Sequence, residues 1–185
     1  GSHTLDEFQR WAGYLINVQV IHIGFLQEEE AVQLIEAPVR GFALRYQAEA
    51  RRRVLDLTNG HPFLFQLLCA EIVALKNEQP PVQRRLATVA DVETAVSPAL
   101  QHGSFFFADI EKNQVDMVAL EVLRLIAKNG EGTAVPRQVL VDYVPSLMSL
   151  EKALLDLQHR ELIVQIGDGY RFEVELIRRW LAKRP

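Results

Sequence analysis

The residues able to do chemistry are few, and most of their combinations are ruled out by spacing. Cys69 is a single thiol and His61 the histidine nearest to it in sequence. On one helix, eight residues apart, they would sit about 12 Å from each other at a rise of 1.5 Å per residue, too far to share a proton. A Cys-His hydrolase is therefore rejected. No glycine is followed by lysine, which removes the phosphate-cradling loop G-x-x-x-x-G-K-[ST], and there is neither an H-E-x-x-H pair nor a Cys/His cluster for zinc. What survives is the turn Thr58-Asn59-Gly60-His61-Pro62, set directly ahead of the apolar run that begins at Phe63. Asn59 and Gly60 suit the left-handed stop of one helix, Pro62 the first position of the next, and His61 its cap. Helix grammar thus accounts for every residue of the turn, with Phe63, Leu64, Leu67, Leu68, Ile72 and Val73 as a buried helix. A second reading stands beside it: a helix start carries about half a positive charge and free amides, so it can face a phosphate.

The elements around this turn are mainly helical. Thr4-Leu-Asp-Glu7 reads as a capping box that opens a short helix, and Leu15 to Ile23, rich in β-branched residues and closed by Gly24, reads as a strand. No hairpin partner lies near it, and it is the only good strand before residue 160, so its edges must pair with a second copy of the chain or with a sheet outside this sequence. Gly1, Ser2 and His3 read as the remnant of an affinity tag, which favours the latter. His22 within this strand is a satisfied or pairing-face residue rather than a ligand. The spacing then predicts helices over 27–36, about 46–58, 62 to about 77, and one opening at Thr88-Val-Ala-Asp91 that continues, bent, through Phe105, Phe106 and Phe107. Those phenylalanines are expected in the core. Arg51, Arg52 and Arg53 form a basic run on a helix, which is read as a solvated face.

After Asn113 the pattern changes. Helices are predicted over 118–128, over 136–144 with Pro136 at the favoured first position, and over 150–160; then Leu162 to Ile166 and Tyr170 to Phe172 flank the turn Gly167-Asp168-Gly169 as a hairpin. Three helices followed by a two-stranded hairpin is the layout of a winged helix. A last helix, 174–183, would bury Ile177 and Trp180. The expected organisation is a tag remnant at 1–3, the tail of a larger α/β core at 4–26, a helical bundle at 27–113 and a winged helix at 114–185.

Composition sets limits on partners. The 185 residues are 49% apolar and 24% charged, a globular mixture with net charge −4. Residues 1–114 carry ten Lys/Arg against fourteen Asp/Glu, and residues 115–185 ten against ten. Neither half is basic, whereas nucleic-acid binding draws much of its affinity from phosphate neutralisation. A DNA-binding regulator using Lys152, His159 and Arg160 on the third helix of the winged unit is therefore the rival reading, because Glu151 and Asp156 oppose those cations. One cysteine permits no internal disulfide and fits a reducing, cytoplasmic compartment. The apolar stretch from Phe63 to Leu75 is broken by Gln66 and Glu71 and falls short of the ~20 residues that a bilayer span needs.

Several stretches in order resemble one family. Val20-Ile-His-Ile-Gly-Phe-Leu26, then Glu28-Glu-Glu-Ala31 with Leu34, Ile35 and Pro38, then Thr58 to Pro62 with Gln66, Cys69, Ile72 and Val73, are similar to the segment that leaves the core and forms the lid of STAND-type ATPases, relatives of AAA+ proteins. Asp91-Val-Glu93 and Tyr170-Arg-Phe-Glu-Val-Glu-Leu-Ile-Arg-Arg-Trp180 resemble the later segments, the second of them the end of the family's winged helix. The likeness runs from about residue 5 to the end, although both Walker motifs are missing. It implies a C-terminal part of a P-loop ATPase, in which Gly60, His61 and Pro62 sense nucleotide. Proline would pack near the base and the helix start would face the phosphates. On this reading the chain alone is not an enzyme, and the intact signalling protein binds ATP with Mg. Its partners are the ATPase core and other domains or protomers, with a homodimer through the orphan strand as the alternative.

Overall fold

The computed structural model describes residues 24–183. The predicted helix after Thr4 and the orphan strand Val18 to Ile23 lie outside the described residues. From Gly24 the chain runs through α1 (Glu28–Glu36), β1 (Arg45–Tyr46), α2 (Ala48–Thr58), α3 (Pro62–Glu78), β2 (Leu86–Ala87), α4 (Val89–His102) and α5 (Ser104–Asp109). A wider π turn, Ile110–Gln114, then leads to α6 (Met117–Ala127), β3 (Val135–Pro136), α7 (Arg137–Tyr143), α8 (Leu147–His159), β4 (Ile163–Ile166), β5 (Gly169–Phe172) and α9 (Glu175–Ala182). The fold is mainly α, as the periodicity predicts.

Helix boundaries follow their caps. Gln27 N–H donates to Glu30 Oε2 at 2.9 Å, and Thr88 and Asp91 cap each other's free groups at the start of α4. α4 ends at Gly103, where a β-carbon would meet Leu67 Cδ2 at 2.7 Å and Phe107 Cε2 at 2.9 Å, so the bend into α5 packs tightly on α3. Ser146 accepts from Ser149 N–H at 3.3 Å, so the predicted helix over 150–160 starts three residues earlier, at Leu147.

Three short strands escape the sequence reading of a single strand before residue 160. β1 and β2 pair in parallel, Arg45 with Leu86 and Tyr46 with Ala87, inside what was expected to be an all-helical bundle. β3 joins the predicted hairpin, giving the antiparallel order β3-β5-β4. Pro136 is thus the last residue of β3 and the cap of α7, not its first helical residue. The predicted hairpin forms, but its turn is one residue shorter than expected: Gly167 sits at φ +60°, and Ile166 pairs with Gly169, already in β5, across a two-residue loop.

One apolar core runs through both expected units. α3 contributes Leu64, Phe65, Leu68 and Ile72, α4 contributes Val92, Ala95 and Ala99, and the C-terminal part contributes Leu123, Leu150, Leu154, Leu157 and Ile177, all buried in the same cluster. Each fully buried Leu or Ile stabilises by about 1.5–3 kcal/mol relative to exposure. Trp180 of α9 is half-buried and stacks on Phe107 of α5, centroids 5.0 Å apart and planes 17° from parallel. Of the three phenylalanines expected inside, only Phe107 is buried; Phe106 is half-buried and Phe105 is 90% exposed.

Candidate functional site

The Gly-His-Pro turn forms as local rules require. Asn59 stops α2 in the left-handed region at φ 46°, donating its N–H to Leu55 O at 2.6 Å, and Gly60 follows at φ +70°. His61 caps α3: its Nδ1 accepts from Leu64 N–H at 3.5 Å, and its carbonyl accepts from Phe65 N–H at 2.8 Å. Pro62 takes the first helical position. His61 N–H donates to Thr58 O at 2.8 Å, so two of the amides expected to be free at this helix start, those of His61 and Leu64, are occupied within the chain, which narrows its capacity for an anion.

Gly60 is fixed by a neighbour that the sequence does not point to. Leu26 N–H donates to Gly60 O at 2.8 Å, and a β-carbon on Gly60 would lie 2.4 Å from Leu26 O. The turn is thereby pinned to the chain just after Gly24. The His61 ring is turned to aromatic neighbours, Phe25 at 5.5 Å and Phe106 edge-on at 5.3 Å, and Phe106 in turn contacts Phe63, which is 45% exposed. Burial pushes the His61 pKa below its ordinary value, with Glu161 opposing the shift.

A cleft of about 500 Å³ opens on the Gly60 side, between the end of α2 and the sheet of the C-terminal part. Glu28, Asp56, Glu131, Glu173 and Glu175 line it together with Arg52 and Arg171. Its carboxylates are largely engaged: Asp56 by Arg52 at 3.1 Å, Glu173 by the Asn59 amide at 2.9 Å, Glu175 by Arg178 at 2.7 Å. The Arg171 side chain has no hydrogen-bond or ion-pair partner among the described residues, and its Nε is buried. Nothing in the local sequence singles Arg171 out; the hairpin register places it there.

The basic run on α2 is not a uniform solvated face. Arg52 is exposed, but Arg51 pairs with Glu36, and Arg53 is held by Glu93 of α4 and Glu131 of the loop after α6. Arg179 of α9 takes the same two carboxylates, at 2.8 and 3.0 Å. These contacts tie the helical part to the C-terminal part. Arg53 bonding is the first cause of a Glu131 pKa lowered to about 2, with burial opposing it and Arg179 adding to it.

Lys152 and His159 of α8 and its C-cap Arg160 are exposed. Arg160 is already paired with Asp156 at 2.9 Å, and Glu151 with Arg137. The same face exposes Met148 and Leu155, 82% and 68% accessible. It is mixed in character and carries no basic stripe. Among the described residues no group of three or more His, Cys, Asp or Glu could hold a metal, and no helix is long and apolar enough to cross a membrane.

No family model matches the chain, and no curated protein matches it. Among solved structures it is similar to a Walker-type ATPase of Pyrococcus abyssi, at 15% identity and a TM-score of 0.54, over 96% of this chain and 49% of that one. This chain thus spans about half the length of that ATPase, with which it shares a fold.

Proposed function

We propose that this chain is the lid and winged-helix module of a STAND-type signalling ATPase, with the lid at 27–113 and the winged helix at 114–185. In this reading it performs no catalysis alone. The missing nucleotide-binding core supplies the Walker motifs, ATP and Mg, and the module closes over the bound nucleotide in the cytoplasm. The carrying observation is the junction of Leu26 with Gly60, because it fixes the Gly60-His61-Pro62 turn to the point where the chain would leave such a core.

In this reading Pro62, with half-exposed Phe63 beside it, offers an apolar surface to the base, and the unpaired guanidinium of Arg171 is available to the phosphates. The occupied amides of α3 make the helix start a weaker phosphate contact than its position suggests. The Arg53 and Arg179 contacts would move lid and winged helix as one body, so a nucleotide that binds the closed arrangement better shifts both together. The mixed face of α8 then serves protein contacts rather than DNA.

The test is ATP binding and turnover by the intact protein carrying His61→Ala or Pro62→Gly. Weaker binding or altered turnover supports the sensor role, and unchanged values for both variants remove it. Independently, sequence upstream of Thr4 without a strand, G-x-x-x-x-G-K-[ST] and helix unit ends the ATPase reading.

A further inference from the structure

A second cleft of about 500 Å³ lies at the other end of α3, where Arg40, Arg84 and Arg85 line a space with Val39, Phe42, Val73 and Pro81. No carboxylate lines it. Lys76, its fourth cation, is already paired with Asp91 at 3.0 Å. Arg40 and Arg85 have no side-chain hydrogen bond or ion pair among the described residues, and Arg84 uses only its Nε, donating to Gln79 O at 2.5 Å. Gathering three exposed guanidiniums without a counter-charge works against the compact state, so an anionic occupant would relieve a repulsion that is built in.

The walls of this cleft are fixed before anything binds. The β1–β2 pair clamps the segment before residue 45 to the segment before residue 86, with Arg45 N–H donating to Arg85 O at 2.9 Å and Gln47 N–H to Ala87 O at 3.0 Å. Arg45 Nη1 donates to the carbonyls of Phe42 at 2.8 Å and Leu44 at 3.2 Å, holding one wall in shape. Gln79 links two lining residues from behind: its carbonyl accepts from Arg84 Nε, and its side chain donates at 2.9 Å to Asp91, the partner of Lys76. Residues far apart in sequence are thus brought to one concave surface by a two-residue parallel pair.

We propose that this cleft binds a small phosphorylated ligand with an apolar body. Guanidinium forks suit oxyanions, and a dianionic phosphate can engage two or three of them where a carboxylate satisfies one. Phe42, Val73 and Pro81 offer apolar surface beside the charges, and the volume is that of a small-molecule site. Three arginine side chains at one cleft, in a chain of net charge −4, fall short of the longer basic track that a nucleic-acid backbone follows. The site is separate from the Gly-His-Pro turn: along α3, Pro62 and Lys76 are roughly 21 Å apart.

The experiment is calorimetric titration of this chain with phenyl phosphate, inorganic phosphate and benzoate at low and high salt, using wild type, the double variant Arg40→Gln/Arg85→Gln, and Arg52→Gln as a control in the other cleft. The expected result is one phenyl phosphate per chain, bound at least about threefold more tightly than either fragment. Binding should weaken with salt, fall at least about tenfold in the double variant and hold in the control. Equal thermal melting of wild type and double variant shows that the loss is local. Binding of phenyl phosphate that the double variant retains, or benzoate binding as tightly, overturns the proposal. So does a single-stranded twelve-nucleotide DNA that binds more tightly than phenyl phosphate and is lost in the same variant.

Discussion

Arg53 of α2 and Arg179 of α9 grip the same two carboxylates, Glu93 and Glu131, so that each acid bridges a helix of the N-terminal bundle to the C-terminal part. The two arginines are mostly buried, while about a third of each carboxylate side chain is open to water. Solvent screening therefore discounts the pair energies. Arg53→Gln should cost about 1–2 kcal/mol, and the double variant with Arg179→Gln should cost more than the sum of the two singles, because each arginine alone still pairs with both carboxylates and only loss of both leaves them without a cation. Urea unfolding of the two single variants and the double one checks this, and strict additivity would break the idea of one network. Because Glu131 is lowered to about 2 in the folded state, its contribution is full above the ordinary carboxylate value and fades as pH falls toward 2.

Gly60 is required twice over. Its φ of +70° strains any residue with a β-carbon, and that atom would sit 2.4 Å from the Leu26 carbonyl oxygen. Gly60→Ala should therefore destabilise by more than about 2 kcal/mol and detach the turn from Leu26, since backbone cannot rotate away as a long side chain can. Gly167→Ala, also at positive φ but with nothing near its β-carbon, should cost only the strain, about 1–2 kcal/mol. Thermal melts that rank the two variants the other way round would discard the contact explanation.

Lys76 and Asp91 form the buried ion pair of the bundle, with side chains only 5% and 11% exposed. Burial pushes the Asp91 carboxyl up, but hydrogen bonds from Gln79, Thr88 and Lys76 outweigh it and bring the pKa to about 2. Asp91→Ala leaves an ammonium buried without its partner and should cost about 3–5 kcal/mol. Lys76→Met keeps the Gln79 and Thr88 bonds to Asp91 and should cost clearly less. Denaturant midpoints separate the two. The stability that Asp91 supplies is present above pH 3.8 and drains as pH drops toward 2.

Local signals carried most of the fold into the sequence. Thr88 with Asp91, Asn59 with Gly60, and Gly167 with Asp168 are each read within a few residues, and each sits where its chemistry predicts. What stayed hidden needs partners distant in the chain. A two-residue parallel pair such as β1–β2 has no period to detect, and Arg53 resembles its neighbours Arg51 and Arg52 until Glu93 and Glu131 are placed beside it. The turn at Gly60 was legible as a turn, but its anchor at Leu26 and the unpaired Arg171 across the cleft were not, because neither lies within a helix's reach of it in sequence. Phe105 failed for the opposite reason: three consecutive apolar residues cannot all face inward from one helical turn.

His61 should make the stability of this chain depend on pH between neutrality and mild acid. Its Nδ1 accepts the Leu64 amide, and protonation removes that acceptor while placing a charge against Phe25 and Phe106. Burial lowers its folded pKa below the unfolded value of 6.5, so in the acid range the unfolded chain binds the proton more readily. Stability from this group is then full above pH 6.5 and is lost as pH falls from there to the lower folded value. Asn caps a helix without titrating, so His61→Asn should match wild type at pH 7.5 within about 1 kcal/mol and flatten the decline toward pH 5. Comparing the two proteins cancels the other histidines, whose titration is common to both. Urea midpoints measured across that range decide it: parallel curves for wild type and His61→Asn would show that the cap does not titrate, while curves that separate toward low pH, with wild type falling below the variant, identify His61 as the group that does.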